Sequence, residues 1–466
     1  MTKSLVDALR TRDNVTENGM VTNSSTLNAC VDLFFTIGAM RGQDTKRLIA
    51  TFSKAFAENP ITALRILFWV RDVRGGAGER EIFRNIITYL VQNHVEVLAK
   101  NLTHIPEYGR WDDLLVLFNT KLDNQAKSLI ANALNENNGL ASKWMPRKGK
   151  NAIALERYMK LTPKAYRKML VEKTNVVETA MCSNEWTGIT YEHVPSLAMA
   201  RYGKAFDKHD NARFTTYKTG DTKVNASAVY PYDVLKTLKY GDKPMAVKQW
   251  DSLPNYMEGN NERILPVCDV SGSMDSPAGN NKNLTCMDVC ISLGLYISER
   301  NTGLFKDAFI TFSDRPQLQY LKGDLQSRYS QLQSADWGMS TNLEAVFSLI
   351  LNQAIKFSLP ESEMPTSILI MSDMEFNSAT KSGDSALDMI RRKFENAGYQ
   401  MPKLVFWNIQ SRHVGNFPAQ VTDNGVALVS GFSPAILKSL LTGEDMSPVS
   451  IMNKTINTPR YECITI

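Results

Sequence analysis

From Ile264 onward the chain alternates short, almost unbroken apolar runs with longer stretches of helical period, and few folds accept that alternation. Strands are predicted at 264–270, 305–312, 366–372, 403–409 and 425–430, and helices at 284–299, 342–357, 385–397 and 433–441. Runs such as Ser367-Ile-Leu-Ile-Met371 and Leu404-Val-Phe-Trp407 lack the apolar–polar alternation of a half-exposed strand, so both faces must be covered. Strands of this kind, separated by helices, build a doubly wound parallel sheet. Ligands in that architecture bind at the carboxyl ends of the strands.

Two of those ends carry oxygen. The run Ile264-Leu-Pro-Val-Cys268 closes in Asp269-Val-Ser271-Gly-Ser273, one carboxylate and two hydroxyls on alternate residues. Alternate residues at an extended strand end share a side, so three oxygens converge. Hard oxygen donors suit Mg²⁺, or another divalent cation, which binds through few carboxylates and keeps several waters. A second apolar run, Thr366-Ser-Ile-Leu-Ile-Met-Ser-Asp373, also ends in Asp, and Trp337-Gly-Met-Ser-Thr341-Asn-Leu supplies a Thr directly before a helical stretch. A plainer reading has Ser271 and Ser273 capping the next helix and Asp373 serving as a turn residue.

Taken in this order, the three segments resemble the metal-ion-dependent adhesion site of a von Willebrand factor A domain. The resemblance implies that Ser271 and Ser273 ligate directly, and that Asp269, Thr341 and Asp373 ligate directly or through water. It also implies an open metal position for an acidic group of a partner. The loop Gly338-Met-Ser-Thr-Asn342 departs from the paired glycines of many such domains, and Thr341 rather than Ser340 is taken as the ligand. No catalytic residue is assigned. An Asp269 nucleophile for phosphoryl transfer would want a second Asp where Ser271 stands, and the five histidines are scattered. The chain is therefore not expected to be an enzyme.

Residues 1 to about 240 follow another pattern. Helical period dominates at 28–40, 44–57, 61–73, 79–99, 111–119, 123–135 and 164–180, with breakers such as Asn59-Pro60, Gly75-Gly76-Ala77-Gly78 and Gly109 between segments. Successive helices with short turns suggest HEAT-like stacked pairs. Residues 183–263, rich in Tyr, Asn, Gly and Lys, read as irregular with shorter helices. The fold class expected is thus multidomain, α plus α/β: a flexible N-terminus at 1–27, a helical-repeat region at 28–260, and the sheet domain at 261–466. Arg74-Gly-Gly-Ala-Gly-Glu-Arg80 lacks the Lys-Ser/Thr ending of a phosphate loop and follows a helix, so its glycines serve a turn. Tyr108-Gly-Arg-Trp-Asp-Asp113 is expected to fix packing, with Arg110 paired to Asp112 or Asp113.

Charge is divided unevenly between the two regions. Residues 1–263 hold 37 Lys and Arg against 28 Asp and Glu, and the remainder holds 16 against 20. Within 141–170 nine basic residues face one acidic residue: Lys143, Arg147, Lys148, Lys150, Arg157, Lys160, Lys164, Arg167 and Lys168, interleaved with Trp144, Tyr158 and Tyr166. A second cluster has Arg201, Lys204, Lys208, His209, Arg213 and Lys218 among Tyr202, Phe206, Phe214 and Tyr217. Cations neutralise phosphates and flat rings stack on unpaired bases, so these clusters are RNA-binding candidates, with solvated faces and core aromatics as the alternative.

Several stretches extend the resemblance: Val70-Arg-Asp-Val-Arg-Gly-Gly-Ala-Gly-Glu-Arg80, Tyr108-Gly-Arg-Trp-Asp-Asp-Leu114, Val194-Pro-Ser-Leu-Ala198, Lys223-Val-Asn-Ala-Ser227, Val267 to Met274 and Ser372-Asp-Met-Glu-Phe376. They are similar to a TROVE-like family, related in architecture to the Ro autoantigen and known from uncharacterised plant, bacterial and viral proteins. That resemblance implies a non-enzymatic protein binding single-stranded, structured or misfolded noncoding RNA. A protein-interaction adaptor gripping an acidic residue through the metal is the other reading. No CxxC pair occurs among the six cysteines, residues Met1 to Asn28 are polar, and no apolar run reaches bilayer length. A cytoplasmic monomer with free thiols and no membrane contact is expected.

Overall fold

A computed structural model of the chain describes residues 12–466 except 175, 223, 225, 227, 280, 313–314, 334–339, 380–382, 414 and 442–444. Residues Lys223, Asn225 and Ser227 of one motif, and Trp337, Gly338 and Met339 of another, lie outside the described residues, as do 1–11. The chain divides into two compact units, one of Met1–Ile66 with Asn255–Thr458 and one of Leu67–Pro254 with Pro459–Ile466.

In the first unit the strands are, in chain order, β1 (Asn14–Val15), β2 (Val21–Thr22), β3 (Ile264–Asp269), β4 (Pro277–Ala278), β5 (Asn281–Thr285), β6 (Ala308–Phe312), β7 (Gln317–Tyr320), β8 (Ser367–Ser372), β9 (Lys403–Asn408) and β10 (Val426–Ser430). Six of them form one sheet in the order β10-β9-β8-β3-β6-β7. All neighbours are parallel except β7, which runs antiparallel to β6 at the edge. Every residue of β3, β8 and β10 is buried, as unbroken apolar runs require of strands covered on both faces. Each of the five strands predicted from sequence forms; β7, whose Gln317-Leu-Gln-Tyr320 is polar and mostly exposed, was not predicted.

Because β3 pairs with β6 on one side and β8 on the other, the chain leaves β3 in one direction and returns in the opposite one. That reversal opens a crevice at the carboxyl ends of β3 and β8. Local chemistry fixes the helices nearby. Thr285 and Asp288 form a capping box that starts Cys286–Arg300, and Asn342 caps Leu343–Lys356 by accepting from Ala345 N–H.

The helical-repeat region expected over 28–260 begins later, since residues 28–66 belong to the sheet unit. Helix Ala29–Ile37 buries Cys30, Val31, Leu33, Phe34, Phe35 and Ile37, and a helix apolar on nearly every side needs cover all round. It packs on β9 and β10. Ser430 Oγ donates to Phe34 O at 2.8 Å and accepts from Gly38 N–H at 3.0 Å. A Cβ at Gly38 would stand 2.8 Å from the Ser430 carbonyl, so only glycine permits this approach. Nor are residues 12–27, the described part of the N-terminus expected to be flexible over 1–27, loose. Residues 14–22 form the β1–β2 hairpin, Thr16, Met20, Thr22, Asn23 and Thr26 are buried, and Thr16 Oγ1 donates to Phe376 O at 2.6 Å.

The second unit is a succession of helices, among them Arg80–Asn93, Asp123–Asn135, Gly139–Trp144, Lys150–Tyr158 and Pro163–Lys173. Across 183–263 the shorter helices expected among irregular chain are Ser196–His209, Asn211–Thr219, Pro231–Tyr240 and Lys243–Asp251. The prolines and aspartates there are start signals: Pro231 and Pro244 sit in first turns, and Asp242 accepts from Met245 N–H. The Gly75–Gly78 run is a turn, as predicted. A Cβ on Gly76 would fall 1.8 Å from Trp69 O, and Gly78 has φ +71°. Arg110 grips Asp112 through Nε at 2.9 Å and Nη2 at 2.6 Å. The fully buried Asp113 is held by Arg71 and Arg84.

Candidate functional site

The crevice between β3 and β8 gathers four of the residues singled out in the sequence, Asp269, Ser271, Ser273 and Asp373. Asp269, the last residue of β3, is fully buried; its Oδ1 accepts from Ser271 N–H at 2.9 Å and its Oδ2 from Ser372 Oγ at 2.5 Å. Ser271 Oγ and Ser273 Oγ lie 3.1 Å apart. Although Ser271 precedes the short helical turn Gly272–Asp275, its side chain makes no capping hydrogen bond, which argues against the plainer reading of that serine. Asp373 follows β8 and is 3 % exposed. Its Oδ1 accepts from Glu375 N–H at 3.3 Å, but its Oδ2 has no hydrogen-bond partner among the described residues. The next residue, Met374, holds φ +67°, an uncommon conformation for a side-chain-bearing residue, and is kept there by burial and by its N–H bond to Ser372 Oγ at 3.0 Å.

Burial, and then the neighbouring Asp373, push the Asp269 carboxyl up to about 7. Asp373 is raised as well, first by burial. Two buried carboxylates that resist ionisation side by side are an arrangement a cation would relieve. Thr341 is buried too, and its carbonyl accepts from Asn377 N–H at 3.0 Å, tying its loop to the one that leaves Asp373. Ser340 Oγ is engaged by Asn377 Nδ2 at 3.1 Å, whereas Thr341 Oγ1 has no hydrogen-bond partner among the described residues. Among the described residues no three His, Cys, Asp or Glu side chains gather as a metal cluster. The donors here are two carboxylates with hydroxyls, and the orphaned Asp373 Oδ2 fits such a set to a hard cation.

Reading the sequence missed what surrounds the pair. Asn408, Glu375 and Arg412 line a cavity of about 10 Å³ beside Asp373, room for roughly one water. Asn408 Oδ1 has no partner among the described residues. Arg412 Nη2 stands 3.8 Å from Asp373 Oδ2. A signal was present: β9 is another apolar run whose carboxyl end turns polar, in Asn408-Ile-Gln-Ser-Arg412.

The basic clusters separate into exposed cations and buried rings. Arg147, Lys148, Lys150, Arg157, Lys160, Lys164, Arg167, Arg201, Lys204 and Lys208 are exposed and have no acidic partner among the described residues. Lys143 pairs with Glu178 at 3.3 Å and Lys168 with Glu172 at 3.5 Å. The aromatics behave otherwise. Tyr166 is fully buried, and Phe206, Phe214 and Tyr217 form a core with Tyr191, Met199 and Met245. Those rings follow the helical stripe that faces inward, so they serve packing rather than base stacking. Trp144 carries the Arg110 guanidinium 3.6 Å above its ring, Tyr158 is 39 % exposed, and Tyr202 Oη donates to Glu178 at 3.2 Å. Arg213 is spent on Trp186, Thr187 and Ile189 carbonyls and on Asp210, and Lys218 on Asp207 and Asp242. All six cysteines are free; Cys182 and Cys463 are exposed and the other four are buried.

Residues 263–459 match a family described as a domain of unknown function, DUF7788, and residues 16–144 and 126–262 match a second, DUF2828. The uncharacterized protein L728 of Acanthamoeba polyphaga mimivirus is 30% identical over 501 residues, covering 94% of this chain and 86% of that protein. The chain belongs to the DUF2828 family. Asp269, Ser271, Ser273, Thr341, Asp373 and Arg412 all fall in the DUF7788 segment, and the basic residues from Lys143 to Lys208 fall in the DUF2828 segments. Among the described residues no helix is long and apolar enough to cross a membrane.

Proposed function

We propose that this DUF2828–DUF7788 chain is a non-enzymatic RNA-binding protein of the reducing cytoplasm, acting as a monomer in the handling of noncoding RNA in the manner of the Ro family. One observation carries the reading: ten exposed Lys and Arg side chains of the helical unit have no acidic partner among the described residues. Arg201, Lys204 and Lys208 recur at helical spacing on Ser196–His209, so they share one face. Unpaired cations spread over several helices suit a phosphate backbone. The burial of Tyr166, Phe206, Phe214 and Tyr217 favours recognition through backbone charge over base stacking. A HEAT-like arrangement of the helices would present this surface to single-stranded or misfolded segments.

In the same proposal the DUF7788 segment is a von Willebrand factor A-type domain, in which Asp269, Ser271, Ser273, Thr341 and Asp373 hold Mg²⁺. Such an ion supplies an electrophilic open position for an acidic group. The protein's own share is to desolvate the two carboxylates, orient Asp269 through Ser271 N–H and Ser372 Oγ, and leave Asp373 Oδ2 unbonded. That oxygen, which accepts no hydrogen bond among the described residues, favours a second reading, an adaptor that grips an acidic residue of a protein partner. A filter-binding titration against single-stranded and duplex RNA, at several salt concentrations with Mg²⁺ or EDTA, separates the two. Tight, salt-steep binding that survives Asp269→Ala and fails on reversal of Arg147, Lys148 and Lys150 is expected for RNA. Affinity no greater than any mildly basic surface would give refutes it.

A further inference from the structure

The carboxylate pair already has one cation of its own. Arg412 leaves the loop after β9 with its side chain 26 % exposed, and Nη2 is 3.8 Å from Asp373 Oδ2. Its guanidinium is held there by oxygens that carry no full charge. Nε donates to Gln410 Oε1 at 2.9 Å, and Nη2 donates to the Ser273 carbonyl and to Ser276 Oγ. Two of these anchors, Ser273 and Ser276, belong to the Asp269-x-Ser-x-Ser loop itself. The charge is thus fixed to the site from both of its sides, through the loop after β3 and through Asp373 after β8.

A unit positive charge placed in this way has two effects. It offsets part of the repulsion between Asp269 and Asp373, and it opposes any divalent ion that would bind the same oxygens. We infer that Arg412 is the built-in counter-ion of the carboxylate pair, a residue that weakens divalent-cation binding until an anionic ligand neutralises it. The inference rests on the metal-site reading given above. It adds that cation and carboxylate ligand strengthen one another's binding, as coupled sites must do reciprocally. The ligand class is a carboxylate, because a planar guanidinium and a metal ion side by side offer two anchors to the two oxygens of one acid.

Mn²⁺ binding to the full-length chain, read by electron paramagnetic resonance of the free ion, tests this without any activity assay. Four proteins are compared, wild type, Arg412→Gln, Arg412→Lys and Asp373→Asn, each in chloride and in acetate, with circular dichroism confirming the fold. Arg412→Gln should bind Mn²⁺ about tenfold more tightly than wild type, the size of a unit charge acting on a divalent ion across several ångströms of partly hydrated protein. Arg412→Lys, which keeps the charge, should stay near wild type, and Asp373→Asn should lose binding. Acetate should tighten Mn²⁺ binding to wild type more than to Arg412→Gln. Binding by Arg412→Gln alone would support the inference still more strongly. Equal affinities for wild type and Arg412→Gln would refute the role of Arg412 while leaving the metal site standing, and weaker binding by Arg412→Gln would do the same. Absence of Mn²⁺ binding in all four proteins would overturn the metal site and the inference together.

Discussion

Replacing Asp373 by Asn should stabilise the metal-free protein, the reverse of what most buried substitutions do. Asp269 is lifted from 3.8 to about 7, and at 1.36 kcal/mol per unit that corresponds to at most about 4 kcal/mol at neutral pH. Burial, the larger cause, remains after the substitution, so the share owed to Asp373 is about 1–2 kcal/mol. Asn keeps an oxygen for Glu375 N–H, and Arg412 retains its three neutral acceptors. The sign with pH follows from proton uptake. In EDTA the folded pair keeps a proton that the unfolded chain releases near 3.8, so wild-type stability falls as pH rises from about 4 to about 7 and then levels. The Asn variant should fall less over that window. Chemical denaturation in EDTA and in millimolar Mg²⁺, at pH 5 and pH 8, reads all of this. Mg²⁺ should stabilise wild type at pH 8 and leave the variant unchanged. A variant at least 2 kcal/mol less stable than wild type in EDTA, beside a wild type indifferent to Mg²⁺, would show that the pair is a structural feature and the reasoning wrong.

Three further outcomes are expected. Neutralising Arg147, Lys148 and Lys150 to Gln should flatten the log–log salt dependence of single-strand binding by about 2, measured by titration at several salt concentrations. Asp113→Ala should cost about 3–5 kcal/mol in denaturant unfolding, because it strands the 2 %-exposed Arg71 without its carboxylate. Gly38→Ala should cost about 1–3 kcal/mol through the clash with the Ser430 carbonyl, a loss visible as a lowered melting temperature; a melting point equal to wild type would mean the helix shifts freely on β10.

The sheet was legible because its signal is local. An unbroken apolar run such as Ser367–Met371 declares that both its faces are covered wherever it lies in the chain. Asp269 and Asp373 followed from the same logic, since each stands where such a run stops. What escaped was long-range in kind. Helix Ala29–Ile37 has the apolar content of a core helix, but nothing in its sequence says that β9 and β10, more than 360 residues later, supply the cover. Tyr166, Phe206 and Phe214 lie among Lys and Arg in the sequence, and only helical phase decides that the rings turn inward while the charges turn out. Arg412 closes the polar end of the β9 run, but nothing local in the sequence ties it to Asp373. Its meaning comes from a neighbour on another strand.

The tie between helix Ala29–Ile37 and β10 also sets an order of assembly. A ribosome makes that helix well before the strand it covers, with Leu67–Pro254 of the helical unit emerging between them. Until then the side of Ala29–Ile37 that packs on β9 and β10 has no native surface to meet, and the sheet unit can close only once Ser430 has left the exit tunnel. An excised fragment spanning 263–459 would leave β9 and β10 without the helix that packs on them in the full-length chain. It should aggregate when expressed alone and dissolve when residues 12–66 are supplied as a separate chain.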